Sequence, residues 1–319
     1  MTVSRHIVLG AGQVGTEIAR QLAAAGAPVA IATRSGRDPG IAGVSPARVD
    51  ATDPASVRAV TAGAEVAYFA VQPAYTRWRT DFPPLVEGVI DGLRGSGIRL
   101  VVVDNLYMYG PTRGAPIHEG LPYAATNRKG TVRAAMAQRF LGADRAGDVR
   151  VAIGRASDFF GAGATDTVVG DRFFRPIVEG GRVDVYGRPD LRHSFTYVPD
   201  FARSLVELGR HEDACGRAWH VPTAPAVSMR AFAEAAAGAA GTRLRTRTIG
   251  RTALRLAGLF IPEAREMIEM AYAFEEPYVL DDGAIRAAYG LTHTPLDESI
   301  PATVSWFAAG ARRADERGA

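Results

Sequence analysis

The sequence has almost no cysteine, no long apolar run and little excess charge of either sign. With Cys215 as its one cysteine in 319 residues, the chain forms no internal disulfide and no cysteine metal site, which is typical of a reducing compartment. No apolar stretch is long enough to span a bilayer, and no signal peptide is recognisable. The net charge is only +3 and the arginines are scattered, which argues against nucleic acid. We expect a cytoplasmic protein that holds no metal and binds neither nucleic acid nor a membrane.

A glycine-rich turn near the start of the sequence is its strongest positive signal. Gly10, Gly12 and Gly15 follow the apolar run 7–9 and open an amphipathic stretch. Gly10 permits a tight turn, Gly12 lets the backbone approach phosphates, and Gly15 lets the helix lie close to the strand. The N–H groups of the first helical turn then face negative charge. This order of strand, glycine turn and helix predicts a dinucleotide site.

The first half of the chain alternates strand-like and helix-like segments. Runs rich in Val, Ile and aromatic residues predict strands, and apolar residues at three- and four-residue spacing predict helices. The predicted strands are 7–9, 29–33, 66–70, 100–104 and 151–155, and the predicted helices are 13–25, 54–62, 81–95 and 124–144. Continuously apolar strands indicate burial on both faces. The predicted fold class is therefore α/β, a Rossmann-type doubly wound parallel sheet with a smaller C-terminal substrate-binding subdomain.

After residue 155 the predicted elements shorten, and Pro and Gly become more frequent. We expect the cofactor-binding Rossmann domain over 1–155, with returns near 196–222 and 278–290. The substrate-binding subdomain is expected over 156–195 and 223–319, with an alanine-rich helix at 231–240 and a lid at 251–275.

The end of the second strand indicates which dinucleotide is preferred. Chains that select NAD usually place Asp or Glu here to bind the ribose 2′-hydroxyl. Arg34 and Ser35 occupy this position instead, and no carboxylate follows until Asp38. A planar guanidinium suits a 2′-phosphate and stacks on adenine. The sequence therefore favours NADP(H) over NAD(H).

Several segments, in order, resemble the extended short-chain dehydrogenase/reductase superfamily, of the nucleotide-sugar epimerase and dehydratase type. They are 49–53, 68–73, 103–110, 155–161, 195–200 and 219–222. The resemblance implies an adenine contact in the first segment, a strand end under the cofactor in the second and a nicotinamide wall in the fourth. Together with the glycine turn it predicts these cofactor contacts: Gly10, Gly12, Gln13, Val14, Gly15, Arg34, Ser35, Asp50, Ala51, Ala70, Val71, Gln72, Lys129, Ser157 and Asp158.

The chain departs from this superfamily at its catalytic positions. Its members carry a tyrosine acid four residues before a lysine, and the lysine lowers the phenol pKa and holds the nicotinamide ribose. Lys129 is present, but Ala125 stands at the tyrosine position and Asn105 replaces the usual Ser or Thr. Tyr123 lies about 200° away around a helix. The resemblance thus implies an atypical member in which Asn105 orients the substrate.

The proton donor stays open at this point. Tyr107, Tyr109, Thr126 and His118 are candidates by location only, and each has an ordinary structural explanation as a packed or loop residue. A water molecule or a hydroxyl of the substrate are further alternatives.

Methionine and aromatic residues indicate the substrate side. Met267 and Met270 crowd the predicted lid with two aromatic residues, although such a helical pair also fits a core or dimer surface. Trp78 is either an aromatic wall or a buried anchor. His193 lies where nucleotide-sugar enzymes commonly carry an Arg-Asp pair. An apolar, polarisable lining suits a flat aromatic ligand better than a sugar nucleotide.

These features predict an NADPH-dependent ketoreductase that reduces a carbonyl of a large apolar compound to a secondary alcohol. The chain is similar to the atypical ketoreductases of angucyclinone tailoring, which implies a role in antibiotic biosynthesis on an aromatic polyketide. The alternatives are a nucleotide-sugar epimerase or dehydratase of the same fold, which needs a strong placed base, and a non-catalytic NADP-binding redox sensor. Helices 81–95 and 124–144 occupy the usual dimer interface of the superfamily, so we expect a homodimer.

Overall fold

A computed structural model describes residues 5–260 and 262–318, apart from the side chains of 262–264, 267 and 312–318. Its strands are β1 (His6–Leu9), β2 (Val29–Thr33), β3 (Val44–Arg48), β4 (Val66–Phe69), β5 (Arg99–Asp104), β6 (Arg150–Arg155), β7 (Asp158–Phe160), β8 (Val183–Tyr186), β9 (Arg192–His193), β10 (Phe195–Tyr197), β11 (Arg217–His220), β12 (Val227–Ser228) and β13 (Thr246–Ile249). Its α-helices are α1 (Gln13–Ala24), α2 (Pro54–Thr61), α3 (Trp78–Leu93), α4 (Arg128–Arg145), α5 (Asp171–Val178), α6 (Val198–Arg210), α7 (Met229–Ala240), α8 (Arg251–Ala257), α9 (Pro262–Glu269), α10 (Gly283–Tyr289) and α11 (Leu296–Gly318). Short 3₁₀ turns lie at Tyr75–Arg77, Tyr107–Tyr109, Glu212–Ala214 and Ala271–Phe274.

The central sheet is parallel throughout, with the order β11-β6-β5-β4-β1-β2-β3 among the described residues. Alternate side chains of β1 enter opposite cores. Ile7 and Leu9 join the apolar cluster that contains α3 and α4, and Val8 joins the cluster that contains α1 and α6. Burial on both faces is why these strands are continuously apolar. The predicted Rossmann-type α/β fold is confirmed.

The order of the strands reverses at β1. From there the sheet extends to β2 and β3 on one side and to β4, β5 and β6 on the other. In such sheets the crevice outside the carboxyl ends of the strands, at the point of reversal, is where ligands bind. The glycine turn after β1 lies at this point.

The smaller subdomain has a core of its own. It contains the parallel pair β8 and β13 and the helices α5, α7 and α11. Aromatic rings fill its centre, where Phe232 packs against Phe160, Phe174 and Phe195. The predicted alanine-rich helix is α7.

Two predicted helices begin elsewhere than expected. The helix predicted over 124–144 begins at Arg128, because Asn127 caps it by accepting the Gly130 N–H at 2.7 Å. The helix predicted over 81–95 begins at Trp78. None of the described helices has both the length and the hydrophobicity required to cross a bilayer.

Candidate active site

The glycine turn combines two crowded positions with one open position. Gly10 has φ +106°, and a Cβ there would lie 2.6 Å from the Ala70 carbonyl oxygen. A Cβ on Gly15 would lie 2.3 Å from the Gly10 oxygen, whereas a Cβ on Gly12 would meet nothing within 4 Å. Gly12 caps α1 without a side-chain hydrogen bond, so the N–H groups of Gln13 and the following residues lack a capping acceptor. This open, amide-lined space fits a pyrophosphate.

The end of β2 presents a cation to solvent. Arg34 is exposed and has no hydrogen bond or ion pair to any residue that the structure describes. Hydrogen bonds from Thr52 lower the pKa of Asp50, and the charge of Arg34 lowers it further. The Ser35 hydroxyl lies 3.3 Å from that of Thr33. These residues place a free guanidinium beside the expected adenosine end.

The end of β4 lies against the glycine turn, whereas segment 49–53, between β3 and α2, packs against α3. Ala51 is buried next to Asp50, and the backbone of Ala70 and Val71 lies against Gly10. Gln72 is exposed but is tied to the protein interior, because its Oε1 accepts a hydrogen bond from Arg133 at 2.7 Å.

No phenol occupies the superfamily's acid position. Ala125 lies in the loop before α4, where its N–H donates to the Met108 carbonyl at 3.1 Å. Its Cβ faces Gly130, whose own Cβ would lie 2.3 Å away. Thr126 is exposed in the same loop. Exposed His118 lies in an earlier loop and accepts the Gly120 N–H.

Lys129 is buried on the first turn of α4. Its ammonium donates to the Tyr75 carbonyl and pairs with Glu266 of α9 at 2.7 Å. Arg128 pairs with Glu266 at 3.4 Å and with Glu269. Two of the three lysine N–H donors are thus used, and the ammonium also lies 4.1 Å from the centre of the Tyr75 ring. The predicted lid is therefore held to the start of α4 by charge.

A buried ionic network lies behind the site. Arg155 donates to Asp104 Oδ2 at 3.0 Å, to the Tyr109 hydroxyl at 2.6 Å and to the Tyr123 hydroxyl at 2.5 Å. Burial, together with the charge of Arg155, lowers the pKa of His220 to about 3, so the neutral ring accepts from Tyr109 at 2.8 Å. The Tyr109 hydroxyl accepts from Arg155 and donates to His220. Tyr109 is therefore a packing residue here rather than an acid that faces a ligand.

Arg133 forms a second part of this network. Its Nη1 lies 3.5 Å from Asp104 Oδ1, and its guanidinium lies 4.3 Å from the Trp78 ring and 4.6 Å from the Phe82 ring. Burial lowers the pKa of Arg133. Trp78 is only 2% exposed, so of its two predicted roles the structure favours the buried anchor over a substrate wall.

A group of tyrosines surrounds the expected nicotinamide end. Burial raises the pKa of Tyr75, Tyr107 and Tyr278, and the nearby charge of Asp158 raises it further. Among the described residues, the buried hydroxyls of Tyr278 and Ser157 have no hydrogen-bond partner. Buried polar groups without partners are rare in folded proteins.

Asn105 keeps its donor available. Its Oδ1 accepts the Tyr107 N–H at 3.1 Å, while its NH₂ group donates to none of the residues that the structure describes. Tyr107 itself stacks on Trp78 at 6.1 Å between ring centroids. Met270 is buried, and the side chain of Met267 lies outside the described residues.

Asp158 and His193 form a close pair at the edge of this group. Asp158 Oδ2 lies 2.9 Å from His193 Nε2, and His193 Nδ1 lies 3.1 Å from the Ala273 carbonyl. The imidazole is sandwiched between Phe274 and Phe195 and is 4% exposed. Across the described part of the chain, no group of three or more His, Cys, Asp or Glu side chains is placed to hold a metal ion.

Comparison with known proteins identifies the family. The model of the NAD dependent epimerase/dehydratase family matches residues 6–221. The chain belongs to this family. The match covers the central sheet and the positions discussed above up to residue 221, and it leaves out the lid residues and Tyr278. The family consists of enzymes that depend on nicotinamide dinucleotides, and the resemblance inferred from the sequence motifs is confirmed. No curated protein matches the sequence significantly.

Several solved structures share this fold across nearly the whole chain. UDP-N-acetylglucosamine 4-epimerase from Bacillus cereus is 15% identical, with a TM-score of 0.74 over 97% of this chain and 96% of that one. RMD from Pseudomonas aeruginosa, solved with NADPH, is 18% identical, with 0.73 over 97% and 100%. WbmH from Bordetella bronchiseptica, solved with NAD⁺, is 19% identical, with 0.71 over 96% and 98%.

The sequence did not predict the contacts between residues that lie far apart along the chain. Asp104 lies just before the predicted Asn105, yet its buried pairing with Arg155 and Arg133 has no local signal. The pairing of Glu266 with Lys129 has no local signal either, because only the apolar residues of its helix form a recognisable pattern. The pairing of His193 with Asp158 joins two predicted site residues that the sequence assigned to different ligands.

Proposed function

We propose that this protein is an NADPH-dependent reductase of a large, mainly apolar carbonyl compound, such as an aromatic polyketide ketone. One observation carries the proposal. The lysine that would hold the nicotinamide ribose is retained at Lys129, while Ala125 removes the phenol with which relatives act on sugar hydroxyls. Reduction requires a positioned carbonyl and a proton, whereas abstraction from an unactivated hydroxyl requires a strong base.

Each residue of the site has a separate role in the proposed reaction. A reduced nicotinamide, when bound, supplies hydride. The amides after Gly12 hold the pyrophosphate, and the remaining N–H of Lys129 binds the ribose. The NH₂ group of Asn105 donates to the carbonyl oxygen and stabilises the negative charge that develops there. Partly buried Tyr107 and buried Tyr278 line the space and limit the access of water to it.

A nucleotide-sugar epimerase or dehydratase is the second candidate. The family match and the Bacillus cereus relative support it. The Asp158–His193 pair argues against it. Nucleotide-sugar enzymes commonly place an Arg near His193, and here the Asp158 carboxylate lies 2.9 Å from that ring. Its charge offsets a positive charge on His193, so the pair supplies no net cation for a diphosphate.

The substrate class is tested by mixing the protein with NADPH and panels of aromatic polyketide ketones and nucleotide sugars. Loss of reduced-nicotinamide absorbance with ketones, and no conversion of nucleotide sugars, is the expected result. Conversion of a nucleotide sugar without net cofactor consumption would favour the epimerase instead.

The proposed preference for NADPH rests on Arg34. Hydrogen bonds to charged groups contribute about 1.5–3 kcal/mol each, so Arg34→Ala should weaken NADPH binding by about 10- to 100-fold. NADH binding should weaken much less, because NADH shares only the adenine contact. Arg37→Ala, an exposed arginine three residues later, is the matched control. Equal losses for both dinucleotides in the Arg34 variant would contradict the assignment.

A further inference from the structure

We propose that the Asp158–His193 pair is the proton source of the reaction. Asp158 is the catalytic residue, and His193 supplies Asp158 with the proton. This inference rests on the proposed reductase activity. It fills the role that Ala125 leaves vacant.

Two contacts of His193 define the protonation state that the proposal requires. A backbone carbonyl can only accept a hydrogen bond, so Nδ1 carries a proton and donates it to Ala273. The 2.9 Å contact between Nε2 and Asp158 Oδ2 requires a second proton between these two atoms. In the proposed resting state this proton is on Nε2, and the pair is an imidazolium beside a carboxylate. The stacking of Phe274 on the ring, at 5.2 Å between centroids and 5° between planes, holds this orientation.

Asp158 is placed to pass a proton inward. Its side chain is 12% exposed, and its second oxygen, Oδ1, bonds to none of the residues that the structure describes. The charge of Asp158 contributes to the raised pKa of Tyr75, Tyr107 and Tyr278. Asp158 therefore lies among the side chains that surround the expected nicotinamide end. The unpartnered Tyr278 hydroxyl is in the same region.

The neighbouring phenols are weaker donors than this pair. Burial and the charge of Asp158 raise the pKa of Tyr107 and Tyr278 well above the ordinary value of 10.0. A phenol so perturbed holds its proton more tightly than an ordinary phenol does, and a general acid works best when its pKa lies near the working pH. No comparable histidine approaches these tyrosines elsewhere in the described chain, since His220 is held neutral behind Tyr109.

The proton transfer balances. Hydride from a reduced nicotinamide forms the new C–H bond and leaves the electron pair of the carbonyl π bond on oxygen as an alkoxide. The Nε2–H bond of His193 breaks as its proton passes to Asp158. Rotation of the carboxyl group about Cβ–Cγ turns the O–H inward, and the alkoxide takes the proton to become the secondary alcohol. His193 is left neutral with Nδ1–H still donated to Ala273, and water reprotonates Nε2.

A readout independent of turnover comes from nitrogen-15 NMR of the imidazole rings in the protein without ligand. The His193 resonances, assigned by their loss in His193→Gln, should show both nitrogens protonated at neutral pH. In Asp158→Asn the Nε2 proton should be lost. A neutral His193 ring with one proton in the wild type would overturn the proposal.

The kinetic test uses single-turnover NADPH oxidation with a ketone that the wild type reduces. Asp158→Asn and His193→Gln should lower the rate by about 10²- to 10⁴-fold while NADPH affinity changes little. His211→Gln removes a histidine that also lies 2.8 Å from a carboxylate, that of Glu207, on the surface, and should keep the wild-type rate. Wild-type rates in both pair variants would refute the proton role alone. A wild type that reduces no ketone would refute the reductase activity, and the proton role with it.

Discussion

The geometry of the glycine turn predicts that substitution by alanine has different effects at Gly15 and at Gly12. Gly15→Ala adds a methyl 2.3 Å from the Gly10 backbone oxygen and 3.1 Å from the Ala70 Cβ. Backbone must shift, at a cost of about 1–3 kcal/mol for overpacking, which exceeds or cancels the gain of about 1 kcal/mol from helix propensity. At about 2–4 °C per kcal/mol for a chain of this size, the melting temperature of the free protein should fall by up to about 8 °C.

Gly12→Ala has no such cost, because nothing lies within 4 Å of the added methyl. The backbone at Gly12, with φ −70° and ψ 177°, accepts alanine, so the free protein should lose less than about 1 kcal/mol, the difference between glycine and alanine as a helix cap. The methyl instead occupies the space proposed for the pyrophosphate. NADPH affinity should fall by at least about tenfold, or 1.4 kcal/mol.

Thermal denaturation of the free proteins and fluorescence titration with NADPH measure both effects. The reasoning predicts that Gly15→Ala mainly lowers stability and that Gly12→Ala mainly lowers affinity. A Gly12→Ala protein that binds NADPH like the wild type would refute the placement of the phosphates at this turn.

Three further predictions concern buried or partly buried groups away from the cofactor. Asp104→Asn leaves the buried Arg155 guanidinium without its counter-charge and should lower the free energy of unfolding by about 3–5 kcal/mol, measured by urea denaturation. His220 is neutral in the folded protein with a pKa of about 3, and the unfolded chain binds its proton near the ordinary value of 6.5. Stability should therefore fall by up to about 1.4 kcal/mol per pH unit as the pH drops between these values, and His220→Gln should flatten that slope. Burial raises the pKa of Cys215 to about 11, so the native thiol should react slowly with a disulfide reagent at neutral pH and quickly in urea.

Controls for these predictions come from exposed counterparts. Asp190 pairs with Arg230 on the surface, so Asp190→Asn should leave the free energy of unfolding nearly unchanged. His118 is exposed in a loop, so His118→Gln should leave the acid slope intact. A loss in Asp190→Asn as large as that in Asp104→Asn would contradict the burial argument, as would rapid labelling of native Cys215.

The fold was predictable because its signals are local. Each central strand is apolar on both faces, as Ile7 and Val8 show by entering opposite cores, and that pattern is visible in the sequence. The edge strand β3 was not predicted, since Val44 is its one buried residue and the rest of Val44–Arg48 is partly or fully exposed. An exposed edge strand has no apolar run to reveal it.

The candidate site was predictable only where a motif is continuous along the chain. Gly10 to Gly15 needs no distant partner, and the absence of a phenol at Ala125 is read directly from spacing. The start of α4 at Arg128 depends on the cap at Asn127. The apolar periodicity alone therefore placed the start of this helix too early, at residue 124. The pairing of Asp158 with His193 spans 35 residues and depends on how the smaller subdomain packs, which no local pattern encodes.

The most direct test of the proposed function follows the hydride itself. The protein is incubated with an aromatic polyketide ketone and NADPH that carries deuterium at the transferable position of the nicotinamide, and the product is analysed by mass spectrometry. A reductase places one deuterium on the new carbinol carbon and oxidises one NADPH per alcohol formed. An unlabelled product, or cofactor that is not consumed while a nucleotide sugar is converted, would contradict the account.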